Sequence, residues 1–258
     1  MDLGLAGKTA IVAGATEGIG RATAQLLAAE GAQVFAVARR ADALQALQTE
    51  IGGGWAAADL TDSAATEAAV QAACERFGAA PDILIISAGA AQGGLFWEID
   101  DQTWQDALDL KFMGMVRLLR AVAPRMAEAA RGRIVVIVGN NGKQPSARMA
   151  PGSAANAACL AAISALAEEL APLGISVNAL NPGPTRTNRW DVLMDRLARA
   201  EGRPRDEVEA ERLATMPRGR IGEPEEMARL AAVLASDLAD MVTGTSLTAD
   251  GGATRALA

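Results

Sequence analysis

The chain has 258 residues, half of them hydrophobic, and a net charge of −7. That length suits one large α/β domain with a substantial core. Arginines scattered among acids, with no basic stripe, exclude nucleic acid as an expected partner, and the absence of any histidine or tyrosine removes the commonest general base, metal ligand and phenolic acid from any mechanism.

Met1 to Lys8 lacks the parts of a signal peptide, and no apolar run approaches a membrane span, so a cytoplasmic location without a membrane partner is expected. Thr9 to Ala13 reads as a first strand and Arg21 to Glu30 as a helix. The stretch between them, Val12-Ala-Gly-Ala-Thr-Glu-Gly-Ile-Gly-Arg21, sets Gly14, Gly18 and Gly20 at a strand–turn–helix join. Glycines there let the backbone approach a pyrophosphate, whose charge the helix N-terminus favours. The spacing is G-x-x-x-G-x-G, not G-x-G-x-x-G, and a plain βα turn that binds nothing has the same order.

Gln33 to Ala38 is a second strand, Ala41 to Ile51 a helix closed by Gly52-Gly-Gly54, and Trp55 to Ala58 a short third strand. Asp62 or Ser63 caps a helix that runs to Phe77 and stops at Gly78. Cys74 in that helix and Cys159 further on read as buried thiols, neither a disulfide framework nor a metal site, and no metal is expected. Ile83-Leu-Ile-Ile86 is a strand suited to burial on both faces. A long helix runs from Asp101 to about Ala130, interrupted near Gly114 and near Pro124. Arg133 to Val138 is the fifth strand, Gly152 to about Ala171 a smooth alanine-rich helix, and Ser176 to Leu180 the sixth strand. After Pro182-Gly-Pro184 comes a polar, arginine-rich excursion over 188–220, an expected substrate loop. A helix over Glu223 to Ala235 and a strand over Ser246 to Ala249 complete the pattern. Alternating strands and helices of this kind predict an α/β, doubly wound, seven-stranded parallel sheet in a single domain over 1–258.

With these motifs in this order the chain resembles the short-chain dehydrogenase/reductase family over essentially its whole length. The glycine loop is joined by Asp59-Leu60, Ser87-Ala-Gly-Ala90, Asn181-Pro-Gly-Pro-Thr-Arg-Thr187, Gly219-Arg-Ile-Gly-Glu-Pro-Glu-Glu226, Thr243-Gly244 and Asp250-Gly-Gly252. The resemblance implies a Rossmann-type fold with helices on both faces. It also implies a nicotinamide cofactor: Gly14, Thr16, Gly18, Ile19 and Gly20 at the pyrophosphate, Asp59 and Leu60 at the adenine, Ser87, Ala88 and Gly89 on the turn after the fourth strand, and Pro182, Gly183 and Thr187 at the nicotinamide. NAD-binding relatives carry an acid at the end of the second strand, whereas Ala38, Arg39 and Arg40 stand here, and guanidinium suits a 2′-phosphate. NADP(H) is therefore favoured over NAD(H). Against it, Glu17 stands where many NADP-binding relatives have a basic residue, and Arg39 and Arg40 could be a solvated helix start.

The family's active site uses Asn, Ser, Tyr and Lys, the last two spaced Y-x-x-x-K. Aligning the fifth strand without gaps puts Gly139 at the serine, Gly152 at the tyrosine, Asn156 at the lysine and Lys111 at the asparagine position. All four differ. A positioned general acid contributes about 10² to 10⁴ in rate, whereas correct orientation of reactants is worth on the order of 7 to 11 kcal/mol, so slow hydride transfer without tyrosine is conceivable. The candidate catalytic groups are Lys111, Asn156, Ser153 and Asn140, with Asn141 and Lys143 as further donors to an oxyanion. Asn156 is also a candidate for the nicotinamide ribose. Phe96, Trp97, Trp190 and Met194 are candidates for a small-molecule substrate pocket, though core packing explains them equally. Three readings stay open: a carbonyl/alcohol oxidoreductase with an altered site, a catalytically silent subunit or regulator, and a non-redox enzyme. The smooth helices and the resemblance also imply a homotetramer, or failing that a dimer.

Overall fold

The computed structural model describes residues 2–89 and 93–255. Seven parallel strands form one sheet in the order β3-β2-β1-β4-β5-β6-β7. They are β1 (Thr9–Ala13), β2 (Gln33–Ala38), β3 (Gly54–Ala57), β4 (Ile83–Ile86), β5 (Gly132–Ile137), β6 (Ile175–Pro182) and β7 (Ser246–Ala249). The third strand sits one residue earlier than the sequence pattern suggests, because Phe35 of β2 takes Gly54 as its first partner.

Strand residues alternate between two cores, as a pleated backbone requires. Ile11 and Ala13 of β1 face one core, and Ala10 and Val12 face the other. The first core is covered by α3 (Ser63–Phe77), α5 (Gly114–Glu128) and α6 (Ala150–Leu170), and the second by α1 (Gly18–Ala29), α2 (Ala41–Ile51) and α9 (Pro224–Leu234). The fold is thus the doubly wound, Rossmann-type sheet with helices on both faces. The strand order reverses between β1 and β4, and a crevice outside the carboxyl ends of such strands is where this architecture receives ligands.

Three features depart from the sequence pattern. The break placed near Gly114 is a π-helical turn, Leu108–Met113, which joins α4 (Asp101–Ala107) to α5 without interrupting the axis. Pro124 does not break α5: Pro124 and Arg120, whose carbonyl it leaves without a helix donor, are both exposed. Finally, 150–173 is by length and apolarity alone a helix able to cross a membrane, against the expectation of none. Here its residues Cys159, Ile163, Ala167 and Leu170 pack into the first core. The excursion over 188–220 holds two helices, α7 (Asn188–Glu201) and α8 (Arg205–Ala214).

Candidate active site

The glycine loop is fixed by close backbone approach. Gly14 has φ +80°, and a side chain there would lie 2.8 Å from the Ala88 nitrogen, while one on Gly20 would fall onto the Gly14 carbonyl. The α1 N-cap, Glu17, makes no side-chain capping bond. The N–H groups of Gly18, Ile19 and Gly20 find no protein acceptor among the described residues. A helix start of this kind is a preformed anion site, so the loop fits a pyrophosphate. Thr16 lies on the same loop, and Thr187 stands over it, its methyl 3.0 Å from where a Gly18 side chain would begin. The Thr187 hydroxyl donates to the Thr185 carbonyl at 3.3 Å.

Further along the crevice, Asp59 accepts hydrogen bonds from the Thr61 amide and hydroxyl at 3.0 and 2.8 Å. The amide bond, first among several causes, holds its carboxyl below the usual range. Leu60 is buried, and its carbonyl receives Arg117 at 3.0 Å. At the end of β2, Arg40 pairs with Glu17 at 3.3 Å, whereas Arg39 is exposed and has no acidic partner among the described residues. Glu17, the residue that counted against a 2′-phosphate, pairs with Arg40, while Arg39 is near enough to the Asp59 carboxylate to help lower its pKa.

Ser87 continues the sheet, its amide donating to the Ala13 carbonyl at 2.8 Å, and Gly89 follows with φ +144°. Ala90 lies outside the described residues. On the opposite wall β6 ends at Pro182, and Gly183 is pressed so closely on Asp250 that a side chain would meet its Cβ at 2.6 Å.

Lys111 is the central feature. The π turn carries it inward, over Gly89, and its Nζ donates to the Ile137 carbonyl at 2.8 Å and reaches the Ala88 carbonyl at 3.4 Å. Ile137 lies just past the last β4–β5 pair, Ile86 with Val136, so the ammonium is at the carboxyl end of the central strands. Burial lowers the amine from 10.5 to about 8. Cys159 donates its thiol to the Lys111 carbonyl at 3.7 Å, and burial pushes that thiol up. Single π turns recur at functional sites because they re-aim one side chain.

The other candidates are arranged differently. Gly139 has φ +122°, a region that side chains avoid, and it lies against the Asn156 amide, 3.1 Å from where a side chain would begin. Asn156 is half-buried beneath the 139–142 turn and makes no hydrogen bond among the described residues. Ser153 is buried with its hydroxyl unpartnered. Asn140 donates to Asp250 at 3.3 Å, Asn141 accepts from Ser146 at 2.9 Å, and Lys143 donates to the Ser246 carbonyl at 2.7 Å. Those three polar groups are engaged away from Lys111. Phe96 and Trp97 are exposed, whereas Trp190 and Met194 are buried with Ile221 in a small core of their own. No cluster of metal-ligating groups exists among the described residues.

Sequence reasoning passed over Arg189, which donates to the Gly89 carbonyl at 3.1 Å across the mouth of the crevice. A signal was present: unlike Arg203 and Arg205, it has no acid three or four residues away to pair with.

Residues 14–254 match the family model described as enoyl-(acyl carrier protein) reductase. The chain belongs to the short-chain dehydrogenase/reductase family. It is 37% identical to a candidate ketoacyl reductase of the monensin polyketide synthase of Streptomyces virginiae, across 95% of this chain and 96% of that one. It is 34% identical to the 3-oxoacyl-[acyl-carrier-protein] reductase FabG of Escherichia coli, across 95% and 97%. Among solved structures, a point variant of actinorhodin polyketide ketoreductase with NADPH superposes with a TM-score of 0.93 at 32% identity, covering 97% and 98%.

Proposed function

We propose that this chain is an NADP(H)-dependent oxidoreductase interconverting a small-molecule carbonyl and its alcohol, with Lys111 as the catalytic acid in place of the family's tyrosine. The observation that carries this reading is the Lys111 ammonium, held among backbone carbonyls at the end of the central strands in a chain with no tyrosine. A solvated surface lysine would have no such setting.

Bound NADPH supplies the hydride. The chain's part is to hold and orient: Gly14, Thr16, Gly18, Ile19 and Gly20 at the pyrophosphate, Arg39 at the 2′-phosphate, Asp59 and Leu60 at the adenine. Ser87, Ala88, Gly89 and Asn156 flank the ribose, and Pro182, Gly183 and Thr187 back the nicotinamide. The actinorhodin ketoreductase variant holds NADPH, and a second structural relative, YwfH, is an NADPH-dependent reductase, which supports the same choice here. Lys111 donates a hydrogen bond to the carbonyl oxygen and then its proton, and an amine near 8 gives up that proton readily at neutral pH. Such an acid is worth about 10² to 10⁴ in rate, roughly 3 to 5 kcal/mol.

A silent cofactor-binding subunit is the second reading, favoured by the engagement of Asn140 and Lys143 with Asp250 and Ser246. The retained pyrophosphate loop counts against a non-redox enzyme. To test the proposal, NADPH is titrated into the protein and its absorbance followed with aldehydes, ketones and thioesters. Oxidation that Lys111→Ala abolishes is the expected result; tight NADPH binding with no oxidation across the panel would establish the silent subunit instead.

A further inference from the structure

We propose that the substrate is a short oxo acid, its carboxylate received by Arg189 while its carbonyl oxygen faces Lys111. This rests on the reductase reading above and adds the substrate class to it.

Two cations from different elements converge on one turn. Lys111 reaches the Ala88 carbonyl at 3.4 Å, and Arg189, at the start of α7, donates to the Gly89 carbonyl at 3.1 Å. Neither pairs with a carboxylate among the described residues, whereas Arg203, Arg205 and Arg212 further along the segment each do. The Arg189 charge is close enough to depress the Lys111 amine, second to burial among the lowering causes. Two like charges so placed repel, and an anion between them relieves the repulsion. In a chain of net charge −7, such a pair is a local exception to a surface that repels anions.

The arginine has donors to spare. A guanidinium carries several N–H groups in a planar fork, and here only Nη1 is bound at the turn, so a carboxylate can be met on the remaining edge. The anchoring carbonyls belong to consecutive residues, whose Cα atoms are about 3.8 Å apart. A ligand that carries its carboxylate and its carbonyl near one another offers one group to each of two cations anchored on a single short stretch of backbone. In the reaction the carbonyl carbon gains hydride from NADPH, its oxygen takes a proton from Lys111, and the oxo acid becomes a hydroxy acid.

The cofactor's pyrophosphate offers the same anionic chemistry, so the test separates the two sources. Phenylpyruvate and its ethyl ester are compared as substrates. Oxamate, an unreducible 2-oxo-acid mimic, and its neutral ethyl ester are compared by calorimetry on the NADPH-loaded protein. The acid should be preferred over the ester about tenfold or more in both assays, with Arg189→Gln erasing the preference and Arg189→Lys restoring part of it. Equal binding of oxamate and its ester overturns the proposal. So does an Arg189→Gln variant that weakens NADPH while the acid-to-ester ratio stays as it was, since the arginine then serves the pyrophosphate. Selective oxamate binding without turnover of either substrate would uphold the anion site and remove the reductase reading.

Discussion

An ammonium taken out of water keeps its proton less firmly, and burial has brought Lys111 from 10.5 to about 8. Its folded pKa is the lower one, so between about 8 and 10.5 the unfolded chain binds the extra proton. Folding stability therefore rises with pH through that window, and the buried charge counts against the fold below it. Lys111→Met should leave the melting temperature unchanged or raise it, because an apolar chain of similar length replaces a desolvated charge, and carbonyl reduction should fall about 10² or more. Calorimetry and turnover on the same preparation decide this: a fall of several degrees would make the lysine a structural tie between Ile137 and Ala88. With the wild-type protein, reduction should decline as pH rises through about 8, and alcohol oxidation should gain. Arg39 belongs at the same scale. Since Glu17 holds Arg40, Arg39→Ala should weaken NADPH about tenfold or more and NADH little, a charge-assisted phosphate contact being the one lost. Equal losses by titration would detach Arg39 from the 2′-phosphate.

Thr187, the N-cap of α7, and Arg189 in its first turn meet the crevice, and charge fastens α7 to α8. Glu209 accepts the Trp190 indole at 2.9 Å and Arg186 at 3.3 Å, with Arg205 at 3.9 Å, while Arg205 also meets Asp191 at 2.5 Å. Glu209→Ala removes the shared acceptor and should loosen this pair by about 1 to 2 kcal/mol. Faster amide exchange over 188–214 and a higher KM, with exchange in β4 and β5 unchanged, are the expected readouts; uniform exchange would show that the pair is held by Trp190 and Met194 packing alone. How much of these elements the sequence discloses follows from the range of the forces involved. Ile83 to Ile86 is apolar throughout because both its faces are covered, so the strand is readable from four residues. Asp62 caps α3 through its own side chain, and Gly78 ends that helix in the left-handed region, both local signals. The π turn before Gly114 has no such signal. It is stabilised by distant partners, Arg117 spanning Leu60 and Asp109, and by the Cys159 bond to the Lys111 carbonyl. Alignment therefore identifies Lys111 as a candidate, but its burial becomes visible only once β5 and α6 are packed. For Arg189 the sequence shows only that no acid stands three or four residues away; its acceptor, the backbone of Gly89, is a product of the fold.

At the scale of the molecule, two surfaces are left in a state that a second copy would improve. Along α6, Ala154, Ala157, Ala161 and Ala165 are exposed at spacings of three and four, hence on one face, and small side chains let a facing helix approach closely. That face spans about 17 Å of helix, too little alone for a stable interface of roughly 1,200 to 2,000 Å², so the neighbouring α4–α5 helix must contribute. The second surface is at the sheet edge formed by β7, where Leu238, Met241 and Val242 are exposed just before the strand, Met241 at 94%. An open edge beside an apolar patch invites self-pairing unless it is covered. Two separate self-complementary faces generate a tetramer of dihedral symmetry, whereas one would stop at a dimer. Light scattering at about micromolar concentration should thus report a tetramer. Ala161→Arg should close off the helix face and Met241→Arg the edge, each giving a dimer, and the double variant a monomer, since a buried unpaired arginine costs several kcal/mol per copy. A wild-type monomer would refute both faces at once. A tetramer untouched by Met241→Arg would move the second interface away from β7.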